Sequence, residues 1–261
     1  MDEIATKVLI VDDNESIRGL LSVLFRSENF EVVGDLSSGD NFMATVVRLQ
    51  PDIICLDQEM PGKDGLTLLK EIKKSVPKIA VLMITGTRDP EFQRQAVAAG
   101  VAGFLRKPFS QIQVLKEINQ VDHARKLLMN AQIPKPDDTK PTSINMVIAD
   151  DSSIMRDLLS LILKSTGINI VGEAMDGNEA VEMANQFKPQ AMCLDLDMPN
   201  MSGLEALKII KDDHPKMKVI IVSGHADRDK VKRAVELGAC GFIIKPFEAQ
   251  QVVLTVSKLL L

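Results

Sequence analysis

Every distinctive stretch of this chain occurs twice, at one fixed separation. The stretch DIICLDQEMPGKDGL, Asp52 to Leu66, returns as QAMCLDLDMPNMSGL, Gln190 to Leu204. Asp150 follows Asp12 by 138 positions (150 − 12), and the same offset joins Asp57 to Asp195, Thr85 to Ser223, Phe104 to Phe242 and Lys107 to Lys245. No insertion or deletion breaks the register between Asp12 and Phe109. So long a period is a whole domain and not the repeat of a solenoid. Two domains also suit the 261 residues available. The expected division is a first domain over 1–129, a linker over 130–143 and a second domain over 144–261. Asn130 to Ser143, NAQIPKPDDTKPTS, carries three prolines among polar residues, which excludes regular structure through most of it.

Within one copy, apolar runs and helical spacings alternate. Val8 to Val11 is a short apolar run ending in Asp12-Asp13, and Ile17, Leu20, Leu21 and Leu24 follow at helical spacing. Glu31 to Gly34 reads as a strand and Asn41 to Leu49 as a helix closed by Pro51. Ile53 to Leu56 is a buried strand cut off at Asp57, with a helix over Leu66 to Lys74 after it. Ile79 to Ile84 is a strand ending at Thr85-Gly86, Pro90 to Ala99 a helix stopped by Gly100, and Gly103 to Leu105 a strand ending at Lys107-Pro108. A last helix starts at Ser110 and runs to about Met129. Five strand–helix alternations imply an α/β fold in each copy, a parallel sheet with helices on both faces. The strand order 2-1-3-4-5 of a flavodoxin-like (βα)5 domain is the expected solution. The first copy's last helix is longer than covering one sheet requires. It points to inter-domain or homodimer contacts, with a solvated helix entering the linker as the alternative.

Composition narrows the function. Hydrophobic residues make up 45%, enough for packed cores. A net charge of −5 gives no attraction for a polyanion, so nucleic acid is not an expected direct partner. No apolar run of membrane-spanning length occurs, and the start MDEIATK is too polar for a signal peptide, so no membrane partner and a cytoplasmic location are expected. Cys55, Cys193 and Cys240 stand in apolar contexts without metal-ligand spacing and read as core thiols.

The chemistry lies at the strand ends. The first strand ends in Asp12 and Asp13, the third in Asp57, the fourth in Thr85 and the fifth in Lys107, and the fold brings these ends to one edge. The second copy supplies Asp150, Asp151, Asp195, Ser223 and Lys245. Three converging carboxylates repel one another unless a cation joins them. Few carboxylates with room for water suit Mg²⁺. A lysine and a hydroxyl beside them suit phosphoryl oxygens. The set describes phosphoryl transfer to a carboxylate nucleophile.

The motifs VLIVDDN, DIICLDQEMPGKDGL, AVLMITG and AGFLRKPF resemble the receiver domain of two-component response regulators, as do MVIADDS, QAMCLDLDMPNMSGL, KVIIVSG and CGFIIKPF. The resemblance spans both copies nearly whole. It implies that Asp57 and Asp195 accept a phosphoryl group from a phosphohistidine on a histidine kinase or histidine phosphotransfer protein. It implies that Asp12, Asp13, Asp150 and Asp151 hold Mg²⁺ with the backbone carbonyls of Glu59 and Asp197. Lys107, Lys245, Thr85 and Ser223 would bind phosphoryl oxygens, and Phe104 and Phe242 would occupy the aromatic switch position. The Lys-Pro bonds before Pro108 and Pro246 would be cis. His225, two residues beyond Ser223, stands where the first copy has Thr87.

These residues give a phosphorylation-controlled signalling protein of a phosphorelay, with output by protein contact. No conventional turnover is expected beyond self-phosphorylation from a phosphodonor and self-dephosphorylation. The competing readings are the receiver portion of a larger regulator, ahead of an effector such as a cyclic-di-nucleotide synthase, and a haloacid-dehalogenase-type phosphatase built on Asp195 and Asp197.

Overall fold

The structure is a computed structural model describing residues 5–87, 89–130, 144–224 and 228–260. Most of the linker and His225 lie outside the described residues. The chain divides into two units, Met1–Arg125 and Lys126–Leu261.

In the first unit, β1 (Lys7–Val11), α1 (Glu15–Ser27), β2 (Glu31–Leu36), α2 (Phe42–Leu49), β3 (Ile53–Asp57), α3 (Gly65–Ser75), β4 (Ala80–Thr85), α4 (Pro90–Ala98), β5 (Gly103–Arg106) and α5 (Gln111–Asn130) follow in strict alternation. The second unit repeats them as β6 (Asn145–Ala149), α6 (Ser153–Ser165), β7 (Asn169–Ala174), α7 (Gly177–Phe187), β8 (Ala191–Leu194), α8 (Gly203–Asp213), β9 (Lys218–Ser223), α9 (Arg228–Glu236), β10 (Gly241–Ile244) and α10 (Ala249–Leu260). The sheets run β2-β1-β3-β4-β5 and β10-β9-β8-β6-β7, all pairs parallel. Both are therefore flavodoxin-like, as the alternation predicts.

Strands β3 and β4 are buried at every residue, which is why their sequences are unbroken apolar runs: helices cover both faces. The edge strands β2 and β7 carry Glu31, Asp35 and Glu173 instead. Helix starts are fixed by side-chain caps that satisfy orphan amides. Asn14 accepts from the amides of Ser16 and Ile17, Asp64 from Thr67, and Asp89 from Glu91 with Pro90 at the first helical position. In the second unit Asp176 caps α7, and Ser202 and Glu205 form a reciprocal capping box on α8. Among the described residues no helix is long and apolar enough to cross a membrane.

The length of α5 has a use inside its own unit. Ile118, Val121 and Ala124 are buried, and one turn beyond Val121 the chain inserts Arg125 at the amino edge of the sheet. Its guanidinium donates to Asp52 Oδ1 at 3.0 Å, Thr6 Oγ1 at 3.0 Å and Asp122 Oδ1 at 3.1 Å. Thr6 Oγ1 donates in turn to Asp122 Oδ1 at 2.7 Å, and the second Asp52 oxygen accepts from the Lys7 amide at 2.8 Å. A buried arginine is tolerated because its fork is matched by two carboxylates and a hydroxyl.

Candidate functional site

Strand register assembles the site. Val11 pairs with Leu56, Asp57 with Ile84 and Thr85 with Arg106. Asp12, Asp57, Thr85 and Lys107 thus fall within a residue or two of one carboxyl edge. The Asp12 amide donates to Leu36 O at 3.1 Å and the Lys107 amide to Thr85 O at 2.8 Å, so both loops leave from fixed points. Asp57 and Thr85 are the last residues of their strands rather than the first of the loops. The Lys107-Pro108 and Lys245-Pro246 bonds are cis.

In each unit one lysine bridges the two buried aspartates. Lys107 Nζ lies 3.0 Å from Asp12 Oδ2 and 2.9 Å from Asp57 Oδ1. Lys245 Nζ lies 2.6 Å from Asp150 Oδ2 and 2.8 Å from Asp195 Oδ2. The bridges differ in depth: 26% of the Lys107 side chain is exposed against 6% for Lys245. Burial pushes the Asp57 carboxyl up to about 6; the Lys107 hydrogen bond works against this and the Asp12 charge adds to it. Asp150 is pushed up to about 6 by burial, with the Lys245 charge opposing and Asp195 reinforcing. Burial works to lower both lysines, but their paired carboxylates outweigh it and hold them above the ordinary range.

The third acid of each set completes a cage. Carboxylate oxygens of Asp12, Asp13 and Asp57 lie within 4.8 Å of one another, and so do those of Asp150, Asp151 and Asp195. That spacing fits one hard octahedral cation with oxygens on several of its corners. Thr85 is fully buried and Ser223 nearly so. Thr85 Oγ1 donates to Gln58 Oε1 and accepts from the Thr87 amide at 3.1 Å. Glu59 and Asp197 sit exposed at the mouth. The Asp197 carboxylate is paired with Lys230 of α9. Phe104 and Phe242 are half-buried on the fifth strand of each sheet, and Phe242 packs on the second core.

Two glycines let the site close. A Cβ on Gly65 would stand 2.1 Å from the carbonyl oxygen of Asp57, and one on Gly203 would stand 1.9 Å from that of Asp195. Only glycine admits so close an approach of α3 and α8 to the strand ends.

Several supporting residues escape a reading of motifs. Arg18 Nη1 donates to the backbone carbonyls of Asp12 at 2.8 Å and Asp13 at 3.0 Å, while its Nε holds Asp35. Arg156 Nη1 donates to the carbonyl of Asp150 at 2.8 Å, with Glu173 behind it. The signal for them was the repeat itself, since Arg18 and Arg156 share its offset. The second site is also more tightly roofed. Asp195 Oδ1 accepts from the amides of Leu196 at 2.6 Å and Asp197 at 3.3 Å, Asn200 donates to Asp176 at 2.6 Å, and Met198 is buried. The nucleophile candidate ends the third strand in the first unit and directly follows it in the second, whereas a haloacid-dehalogenase-type site needs it after the first strand.

The chain is 37% identical over 113 residues to the chemotaxis protein CheY of Thermotoga maritima, covering 43% of this chain and 94% of that one. It is 39% identical over 126 residues to a protein-glutamate methylesterase/protein-glutamine glutaminase of Treponema denticola, covering 45% of this chain and 34% of that one. Among solved structures it matches the response regulator domain of Thermotoga maritima CheB at 35% identity and a TM-score of 0.42, covering 45% of this chain and 94% of that chain. The family model of the response regulator receiver domain matches residues 8–119 and again residues 146–257. The chain belongs to the response regulators and carries two receiver domains in tandem.

Proposed function

We propose that each receiver takes a phosphoryl group from a phosphohistidine onto its strand-end aspartate, Asp57 in the first and Asp195 in the second. The donor is a histidine kinase or a histidine phosphotransfer protein, and the signal leaves through contact with a downstream protein. The receivers are residues 1–129 and 144–261, joined by the linker 130–143. The observation that carries the reading is the lysine shared between the first-strand and third-strand aspartates, with the same pair of partners in both copies.

Asp12, Asp13 and Asp57, and in the second receiver Asp150, Asp151 and Asp195, are the residues to hold Mg²⁺, joined by the backbone carbonyls of Glu59 and Asp197. When bound, the ion offsets the charge of the converging carboxylates and of the incoming phosphoryl oxygens. A carboxylate oxygen of the aspartate attacks phosphorus in line. The phosphorus–nitrogen bond breaks, and the imidazole leaves with the electron pair. Lys107 and Lys245 turn from the aspartate to a phosphoryl oxygen, and the Thr85 and Ser223 hydroxyls donate to another. Arg18 holds the carbonyls of Asp12 and Asp13 and Arg156 that of Asp150, which keeps the carboxylates aimed inward.

The test is intact-mass analysis of the full chain with Mg²⁺ and acetyl phosphate. Two sites are expected to label; Asp57→Asn removes one and Asp195→Asn the other. A double variant labelled as fully as the parent would refute the assignment.

A further inference from the structure

We propose that Gln58 is a latch on Thr85 that opposes phosphorylation of the first receiver, at a position where the second receiver carries leucine. The inference rests on the function proposed above and concerns how that one site is restrained.

A threonine hydroxyl has a single proton to donate. In the first receiver that proton goes to Gln58 Oε1, while the Thr87 amide fills an acceptor position on the same oxygen. The hydroxyl is fully buried, so water offers no alternative partner. Before it can donate to a phosphoryl oxygen, it must leave Gln58. The glutamine is well placed to hold it. Its amide donates to Ile84 O at 2.9 Å, and its carbonyl accepts from the Gly65 amide at 3.0 Å. The residue's backbone is thus pinned to β4 at one end and to the start of α3 at the other, and its side chain reaches the Thr85 hydroxyl.

The repeat supplies the contrast. The residue one beyond the phosphoacceptor is Gln58 in the first copy and Leu196 in the second. Leucine has no acceptor to offer Ser223. Leu196 is buried, and its amide is directed to Asp195 Oδ1. The position that supplies an acceptor to the buried hydroxyl in the first copy therefore carries only a hydrocarbon side chain in the second. Gln58 is a positioning residue: it acts on phosphorylation through Thr85.

The experiment uses the full chain carrying Asp195→Asn, so that all label reports on Asp57. Acetyl phosphate and Mg²⁺ are added, and the initial rate of mass gain is followed. Gln58→Leu removes the acceptor. Gln58→Met removes it while keeping a side chain of similar length. Both are expected to raise the labelling rate about two- to tenfold, the range of one hydrogen bond of ordinary net strength. With Thr85→Ala also present, the difference made by Gln58→Leu is expected to vanish, which a general loosening of the loop would not produce. In the Asp57→Asn chain, label on Asp195 is expected to enter at one rate with or without Gln58→Leu. Unchanged rates in both Gln58 variants overturn the latch. So does a rise in Gln58→Leu alone, which would make the glutamine a steric cover. A rise that persists without Thr85, or an equal rise at Asp195, also overturns it. If the chain takes no label on either aspartate, the reading of function falls and the latch with it; label that enters but ignores Gln58 sinks the latch alone.

Discussion

Replacing the bridging lysines should cost the two receivers different amounts. Lys245→Met leaves Asp150, which is fully buried, and Asp195 facing each other without a cation. Removing one partner of a buried ion pair costs about 3–5 kcal/mol, because the other charge stays behind. Lys107→Met removes the same bridge from a shallower place: a quarter of that side chain is exposed, and Asp13 beside it faces solvent. Water can take over part of the lost interaction there, so a loss of about 1–3 kcal/mol is expected. The chain has no Trp and no Tyr, so intrinsic fluorescence has little to report. Urea unfolding is better followed by hydrogen exchange and mass spectrometry, on peptides from residues 5–125 and 144–260 separately. In metal-free buffer at pH 7 each variant should weaken its own unit, Lys245→Met more. Magnesium at a hundred times its dissociation constant should return about 2.7 kcal/mol to the weakened unit, because a cation again joins the carboxylates. Equal losses in the two variants, or no recovery with magnesium, would refute the assumption that depth of burial sets the strength of these bridges.

Further expectations follow from other parts of the same sites. Gly65→Ala should slow labelling of Asp57 and destabilise the first unit by about 1–3 kcal/mol, since the new Cβ meets a strand backbone that cannot retreat; Gly203→Ala should do so at Asp195, and site-resolved labelling of each variant checks both. The Asp57 and Asp150 carboxyls titrate near 6 when folded, against about 3.8 for the ordinary group. The folded chain thus binds their protons more tightly than the unfolded one. Stability from these two groups is full below about pH 4 and is lost as pH rises towards 6. Unfolding in EDTA should show a decline of about 1–3 kcal/mol per site over that window, and Asp57→Asn should flatten it in the first unit; an unaltered slope in that variant would show the wrong group was chosen. Arg125→Met should destabilise the first unit by about 3–5 kcal/mol, by leaving Asp52 and Asp122 without their shared cation, and exchange protection in peptides of α6 to α10 should stay as it was.

The fold was legible because it rests on short-range patterns. Unbroken apolar runs such as Ile53 to Leu56 and Val81 to Ile84 mark strands covered on both faces, and the repeat shows each boundary twice. The carboxyl-edge acids, hydroxyls and lysines were legible too, since each ends a strand or follows it within two residues. What escaped was every contact made by a long side chain reaching between segments far apart in sequence. Arg18 returning to the carbonyls of Asp12 and Asp13, Gln58 across to Thr85, and Asn200 to Asp176 depend on rotamers that packing selects, and no periodicity records them. Asp52 and Thr6 read as ordinary polar residues at strand starts until Arg125 arrives between them. The mouth residue Asp197 likewise gains its partner Lys230 from a helix more than thirty positions away.

The arginine at the foot of α5 also determines how that helix can move. Over its twenty residues α5 is about 30 Å long. Near its far end it is fastened to Thr6, just before β1, and to Asp52, just before β3. A rod held in this way does not slide along its axis; it swings about the fastening. Gln111 lies fourteen residues from Arg125, a lever of about 21 Å. A tilt of about 5° there displaces the end beside Lys107 by about 2 Å. For any such tilt, the part of α5 that moves furthest is the end beside Lys107.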